Sequence, residues 1–179
     1  MRILSVLFAM PGIVVHELGH YLLCRLCGAH IHDVVFFQAD GPSGYLVHSV
    51  PHRLVQHATI VAGPLLLNSA VGFLLFRASV ADLRPAIAEI GRGLPIHAIE
   101  LVFAVVLGAS ISLHAIPSRA DAASLWDVTL DRIGRGQLLA VLAAPAALSL
   151  ILVNNLRPYW IDWLYAIALA SLALWLPAT

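Results

Sequence analysis

Lysine is absent from this 179-residue chain, so its cationic charge rests on ten arginines, balanced by ten acidic residues. Charged residues make up only 11% of the sequence, and no basic run is longer than a single residue. These two shortages leave no net field and remove the electrostatic footprint of a nucleic-acid-binding protein. Arginine used to the exclusion of lysine is a compositional habit of GC-rich prokaryotic genomes. No small-residue cleavage site follows the apolar N-terminal run, which therefore reads as a retained helix, not a signal peptide. Internal repeats and low-complexity tracts are also missing. Apolar residues, in contrast, are plentiful: the chain is 60% hydrophobic with a mean hydropathy of +0.89. A soluble domain does not reach such values, and one membrane-embedded domain over residues 1–179 is expected.

Five apolar segments of about 20 residues, the length a bilayer crossing needs, lie at 3–26, 54–76, 96–116, 137–156 and 159–176. Arg53 and Arg77 bracket the second, while Tyr159, Trp160, Trp163 and Trp175 mark the ends of the fifth as interfacial anchors. The stretch 31–50 differs, with Val34-Val35-Phe36-Phe37 and Tyr45-Leu46-Val47 flanking the turn-rich Asp40-Gly41-Pro42-Ser43-Gly44. It predicts a β-hairpin, and because lipid does not tolerate open strand edges, the hairpin should line a protein-walled cavity. Residues 79–95 read as an interfacial loop with room for one short helix, and 118–135 as a helix lying at the surface. The expected fold is an all-α polytopic membrane protein with about five transmembrane helices and a small membrane-associated hairpin between the first two. Its core covers 1–125, and the helices at 137–176 are additional.

The first apolar segment is interrupted by Pro11-Gly12 and by His16-Glu17-Leu18-Gly19-His20. Histidines four apart on a helix project from one face and can reach one metal ion, with Glu17 beside them as a candidate general base. Ionisable groups at this depth cost roughly 2.5–3.5 kcal/mol each unless paired or ligated, which marks the motif as functional. A catalytic zinc site takes a third protein ligand and keeps one position open. His30, His32, His48 and His52 lie in the hairpin region, and His57 and Glu100 lie near helix starts. Asp121 follows the third apolar run directly, and helices one and three run in the same direction. That returns Asp121 to the face and depth of the HELGH motif, whereas Asp127 and Asp131 lie further out. Cys24 and Cys27 form a C-x-x-C that reads as two small apolar residues one turn apart on a buried helix.

These motifs resemble the site-2 protease family of intramembrane zinc metalloproteases. The resemblance rests on HELGH in a first transmembrane helix, on Ala62-Gly63-Pro64 with Asn68 in the second, and on Pro117 to Asp121 after the third. It covers about residues 3–125, with a hairpin between the first two helices also in keeping. It implies zinc held by His16, His20 and Asp121, and Glu17 as general base. The chain departs from the family pattern at three places. Asn68 stands four residues after Pro64, not three. The usual Asn-x-x-Pro before the aspartate is replaced by Leu113-His114-Ala115-Ile116-Pro117. Ala122-Ala123, not glycine, follows Asp121. His114 and Asn68 are the candidate oxyanion or substrate contacts.

The expected function is intramembrane zinc-dependent endopeptidase, acting on unwound transmembrane segments of membrane-protein substrates within a prokaryotic cell membrane. A helical substrate hides its carbonyls in its own hydrogen bonds and must unwind first; a strand of the 31–50 hairpin could then hold it by β-addition. Two alternatives are a catalytically silent zinc-binding scaffold and a metal transporter or sensor. Arginines divide five and five between the two faces, so charge does not orient the chain, and the resemblance implies an active site towards the cytoplasmic face.

Overall fold

The computed structural model describes residues 2–40, 43–89 and 96–176. The order is α1 (Arg2–Cys27), β1 (Ile31–Val35), β2 (Tyr45–His48), α2 (Leu54–Val61), α3 (Gly63–Glu89), α4 (Ile96–Leu113), α5 (Arg119–Gly134), α6 (Ala144–Leu156) and α7 (Ile161–Trp175). One 3-10 turn, Leu138–Ala143, leads into α6, and another, Arg157–Tyr159, follows it. Four helical stretches are long and apolar enough to cross a membrane: Ile3–Cys27, Leu54–Val80, Ile96–Leu113 and Leu138–Tyr159. They mark a membrane protein, and their outward faces carry exposed Leu4, Leu74, Phe103 and Leu152, among others.

Three helices build the centre, and their register follows from side chains that touch. Gly19 of α1 meets Gly63, and the Asn68 amide donates to the Gly12 carbonyl, so α1 and α3 are antiparallel. The Ser110 hydroxyl of α4 donates to the Phe8 carbonyl and accepts from the Gly12 N–H at 3.2 Å. His16 meets the His114 carbonyl one turn further on, so α1 and α4 are parallel. The Ser110 hydroxyl thereby bridges a backbone pair of α1 just beyond Pro11, where proline already interrupts the helical ladder.

The hairpin forms where expected. β1 and β2 pair antiparallel, Asp33 opposite Val47 and Val35 opposite Tyr45, with an irregularity between Ile31 and Asp33. Tyr21 of α1 meets Phe36 edge-on at 5.9 Å and seats the hairpin on the first helix. Gly41 and Pro42 of the expected turn lie outside the described residues, as do residues 90–95 of the expected loop.

Two expectations change. Residues 79–89 hold no separate short helix within a loop but continue α3. Proline at 85 removes only one backbone donor. Phe76 lies against Gly108, and the buried Ser79 hydroxyl bonds back to the Phe76 carbonyl at 2.7 Å. The expected fifth span reduces to α7, whose 15 residues reach about 22 Å at 1.5 Å each, short of the ~30 Å hydrocarbon core. Pro158 and the left-handed Trp160 (φ 67°) separate it from α6. The two helices follow one another along the central helices. α6 packs on Val61 and Leu125 through Ala147, and the Asn154 amide reaches the Pro117 carbonyl. α7 then continues along α3, with Tyr165 at Ser69 and the Ala173 carbonyl at Arg77. The helix break therefore falls at the depth of the HELGH motif.

Candidate metal centre

One ring nitrogen each of His16 and His20 and a carboxylate oxygen of Asp121 lie within 4.8 Å of one another. His20 Nε2 is 3.3 Å from Asp121 Oδ1, and His16 Nε2 is 3.8 Å from Oδ2. The helical four-residue spacing supplies the histidines. Asp121 is brought to them from the first turn of α5, where Ser118 and Asp121 cap reciprocally: the Ser118 N–H donates to Asp121 Oδ2 at 2.7 Å, and the Asp121 N–H donates to Ser118 Oγ at 3.1 Å.

Each histidine is fixed by its other nitrogen. His16 Nδ1 is 2.6 Å from the His114 carbonyl, and His20 Nδ1 is 3.0 Å from the Ile60 carbonyl. A carbonyl only accepts, so both Nδ1 atoms carry the proton, and in the neutral ring Nε2 is left with a lone pair. Both carbonyls lack the usual helical donor four residues on, for local reasons. Pro64 has no N–H to return to Ile60. The Ser118 N–H, which would serve His114 in a continued helix, is turned to Asp121. Two lone pairs and a carboxylate oxygen thus converge with no donor among them. Three acceptors this close repel unless a cation sits between them, and two imidazoles with one carboxylate suit zinc with an open fourth position.

The approach of α1 to α3 depends on missing side chains. A Cβ on Gly63 would lie 2.6 Å from the Gly19 oxygen, and one on Gly19 would lie 2.8 Å from the Gly63 carbonyl carbon. Only two glycines let the helices cross closely enough for His20 to reach Ile60.

Glu17, 7% exposed, opens beside the histidines into a cavity of about 330 Å³ that His16, Gly44, His114, Ser118 and Arg157 also line. The hairpin loop reaches it through Gly44, where a Cβ would come within 2.9 Å of Glu17 Cγ. The hairpin therefore forms one wall of the cavity, as the sequence predicts.

The other candidates separate clearly. His114 lines the cavity, but its Nδ1 lies 2.8 Å from the Ser110 carbonyl, so the neutral ring turns an acceptor to any further partner. Asn68 is fully buried, and its amide N–H groups go to the Gly12 and Ile111 carbonyls, at 3.1 and 2.9 Å. It is a strut tying α1, α3 and α4 together. His57 is buried against Ser124 at 3.1 Å, Glu100 pairs with His97, and His30, His32 and His52 are exposed. Asp127 is exposed, and Asp131 pairs with Arg135 at 3.0 Å. Cys24 is buried, and both cysteines are free thiols.

Sequence reasoning missed the contribution of the C-terminal helices. Asn154 and Arg157 hold the Pro117 and Ile116 carbonyls at 3.1 and 2.9 Å, fixing the loop that presents His114 and Asp121. An arginine directly before proline between two apolar segments was the available signal. No family model, no curated protein and no solved structure matches the chain.

Proposed function

We propose that this chain is an intramembrane zinc-dependent endopeptidase of the site-2 protease type, cleaving peptide bonds in or near transmembrane segments of other membrane proteins. The observation that carries the reading is the convergence of three acceptors, each held by its own second partner, beside a buried glutamate at a cavity. Zinc bound by His16, His20 and Asp121 would supply Lewis acidity, acidifying water and polarising a peptide carbonyl.

The chain's own residues do the rest. Glu17 accepts the proton of the attacking water and returns it to the leaving amine. Gly44 leaves room for Glu17 and brings the hairpin to the cavity. The outer edge of β2 offers free backbone groups to an unwound substrate segment. The Ser49 N–H points inward to the His30 carbonyl, so by alternation the Leu46 and His48 N–H groups point outward, available for β-addition.

A cytoplasmic-facing site in a prokaryotic cell membrane follows the same reading. Arg157 belongs to the site's depth and not to the N-terminal face, so the arginine balance tips towards the face that bears α5.

Cleavage of a transmembrane peptide substrate by wild type and Glu17→Gln, both with zinc content measured, tests the proposal. Glu17→Gln removes a base and spares every ligand; it should keep its metal and lose about 10²–10⁴-fold in turnover. Equal cleavage by the two proteins would refute it.

A further inference from the structure

Arg157 is the one fixed cation among the described residues that line the cavity beside Glu17. It reaches that position because α6 ends there: Leu156 closes the helix, and the Arg157–Tyr159 turn carries the guanidinium into the fold at the level of His16. An ionisable group at a helix break inside the apolar part of a membrane protein points to function. Its partners leave part of it unused. Nε donates to Asp162 at 3.2 Å and Nη2 to the Ile116 carbonyl at 2.9 Å, and Nη1 bonds to none of the described residues.

The ring and amide donors of His16, His114 and Asn68 and the Ser118 N–H are already engaged, which leaves Arg157 as the charged donor at the cavity. His16 Nδ1 is on the His114 carbonyl and His114 Nδ1 on the Ser110 carbonyl. The Ser118 N–H is on Asp121, and both Asn68 N–H groups are spent on backbone carbonyls away from the cavity. We infer that Arg157 is the group that receives the oxygen of the scissile carbonyl as it becomes an oxyanion, an assignment resting on the peptidase reading above. In that step the water oxygen bonds to the carbonyl carbon, its proton goes to Glu17, and the π pair moves onto the carbonyl oxygen. Nη1 donates to this oxygen and offsets its charge. The C–N bond then breaks, its electron pair stays on nitrogen, and the proton on Glu17 moves to that nitrogen. Asp162 and the Ile116 carbonyl are positioning partners, fixing the fork where Arg157 lines the cavity and leaving Nη1 uncommitted. Fixed donors aimed at developing charge contribute most to such reactions.

The test compares wild type, Arg157→Ala, Arg157→Lys and Glu17→Gln in detergent. Four quantities are read: zinc content, melting temperature, peptide cleavage, and affinity for a peptide phosphinate, an uncleavable tetrahedral anion. Both Arg157 variants should keep zinc. Arg157→Ala should lose about 10²–10³-fold in kcat with KM changed less than about threefold. Phosphinate affinity should fall by a similar factor, and millimolar guanidinium should restore part of the lost turnover. Arg157→Lys, which keeps the charge but not the fork, should fall between wild type and Arg157→Ala. Wild-type phosphinate affinity in a metal-replete Arg157→Ala would overturn the inference. So would zinc loss in both variants, which would make Arg157 only a clamp on the ligand loop. Wild type and Arg157→Ala cleaving equally well while Glu17→Gln does not would sink this inference alone. A wild type that cleaves nothing would sink the reading beneath it, and phosphinate affinity would still decide the role of Arg157.

Discussion

One methyl group added at Gly63 probes how the fold prepares the ligands. In Gly63→Ala the new Cβ would stand 2.6 Å from the Gly19 oxygen and 2.8 Å from its carbon, both rigid backbone atoms. Ordinary contact begins at 3.4 Å, so the helices must part there by about 0.8 Å (3.4 − 2.6). Ile60 lies one turn before Gly63 and moves with it. The bond from His20 Nδ1 to the Ile60 carbonyl, 3.0 Å in the native fold, then stretches to about 3.8 Å, beyond hydrogen-bonding range. Losing such an outer partner of a metal ligand weakens binding about 10–100-fold, or about 1.4–2.8 kcal/mol. Helix propensity acts the other way, since alanine gains roughly 0.5–1 kcal/mol over glycine inside a helix. The melting temperature, read on the same samples, separates a local loss of affinity from unfolding. Zinc affinity measured by competition with a chromophoric chelator, on purified protein in detergent, gives the number. Gly134→Ala is the control, because a Cβ there meets nothing within 4 Å. Should Gly63→Ala bind zinc as tightly as the control, the link from helix crossing to ligand geometry would be wrong.

Two further outcomes are expected. Leu46→Pro removes an outward strand donor without touching a bond to β1, so cleavage of a transmembrane substrate should drop several-fold with zinc content unchanged; unaffected turnover would take the β2 edge out of substrate binding. Asp121→Ala should lose zinc as completely as a histidine variant, while Asp131→Ala, which breaks only an exposed pair with Arg135, should retain it, as elemental analysis of the two proteins would report.

What the sequence made legible was whatever depends on local spacing. The four-residue separation of His16 and His20, the turn-rich break between two β-favouring runs, and the parallel course of α1 and α4 were all readable, and together they brought Asp121 to the histidines. What it concealed depends on which groups are already engaged. Asn68 carries the right chemistry for a substrate contact, yet both its donors are consumed between helices. The carbonyls that orient the histidines belong to Ile60 and His114, where side-chain identity says nothing. Their availability follows from Pro64 and from the Ser118 cap, one turn downstream in each case. The C-terminal helices were misjudged for a related reason. Hydropathy sees two apolar runs, whereas Pro158 and Trp160 set a helix break between them with an arginine at the joint.

Metal content of the purified protein tests the central claim most directly. Elemental analysis of wild type, His16→Ala and Glu17→Gln in detergent should give about one zinc per chain, essentially none, and about one again. The three values follow from two ligands and one base sharing a single turn of α1. A wild-type protein that binds no zinc when it is supplied, or a His16→Ala variant that binds it as tightly as wild type, would contradict the account.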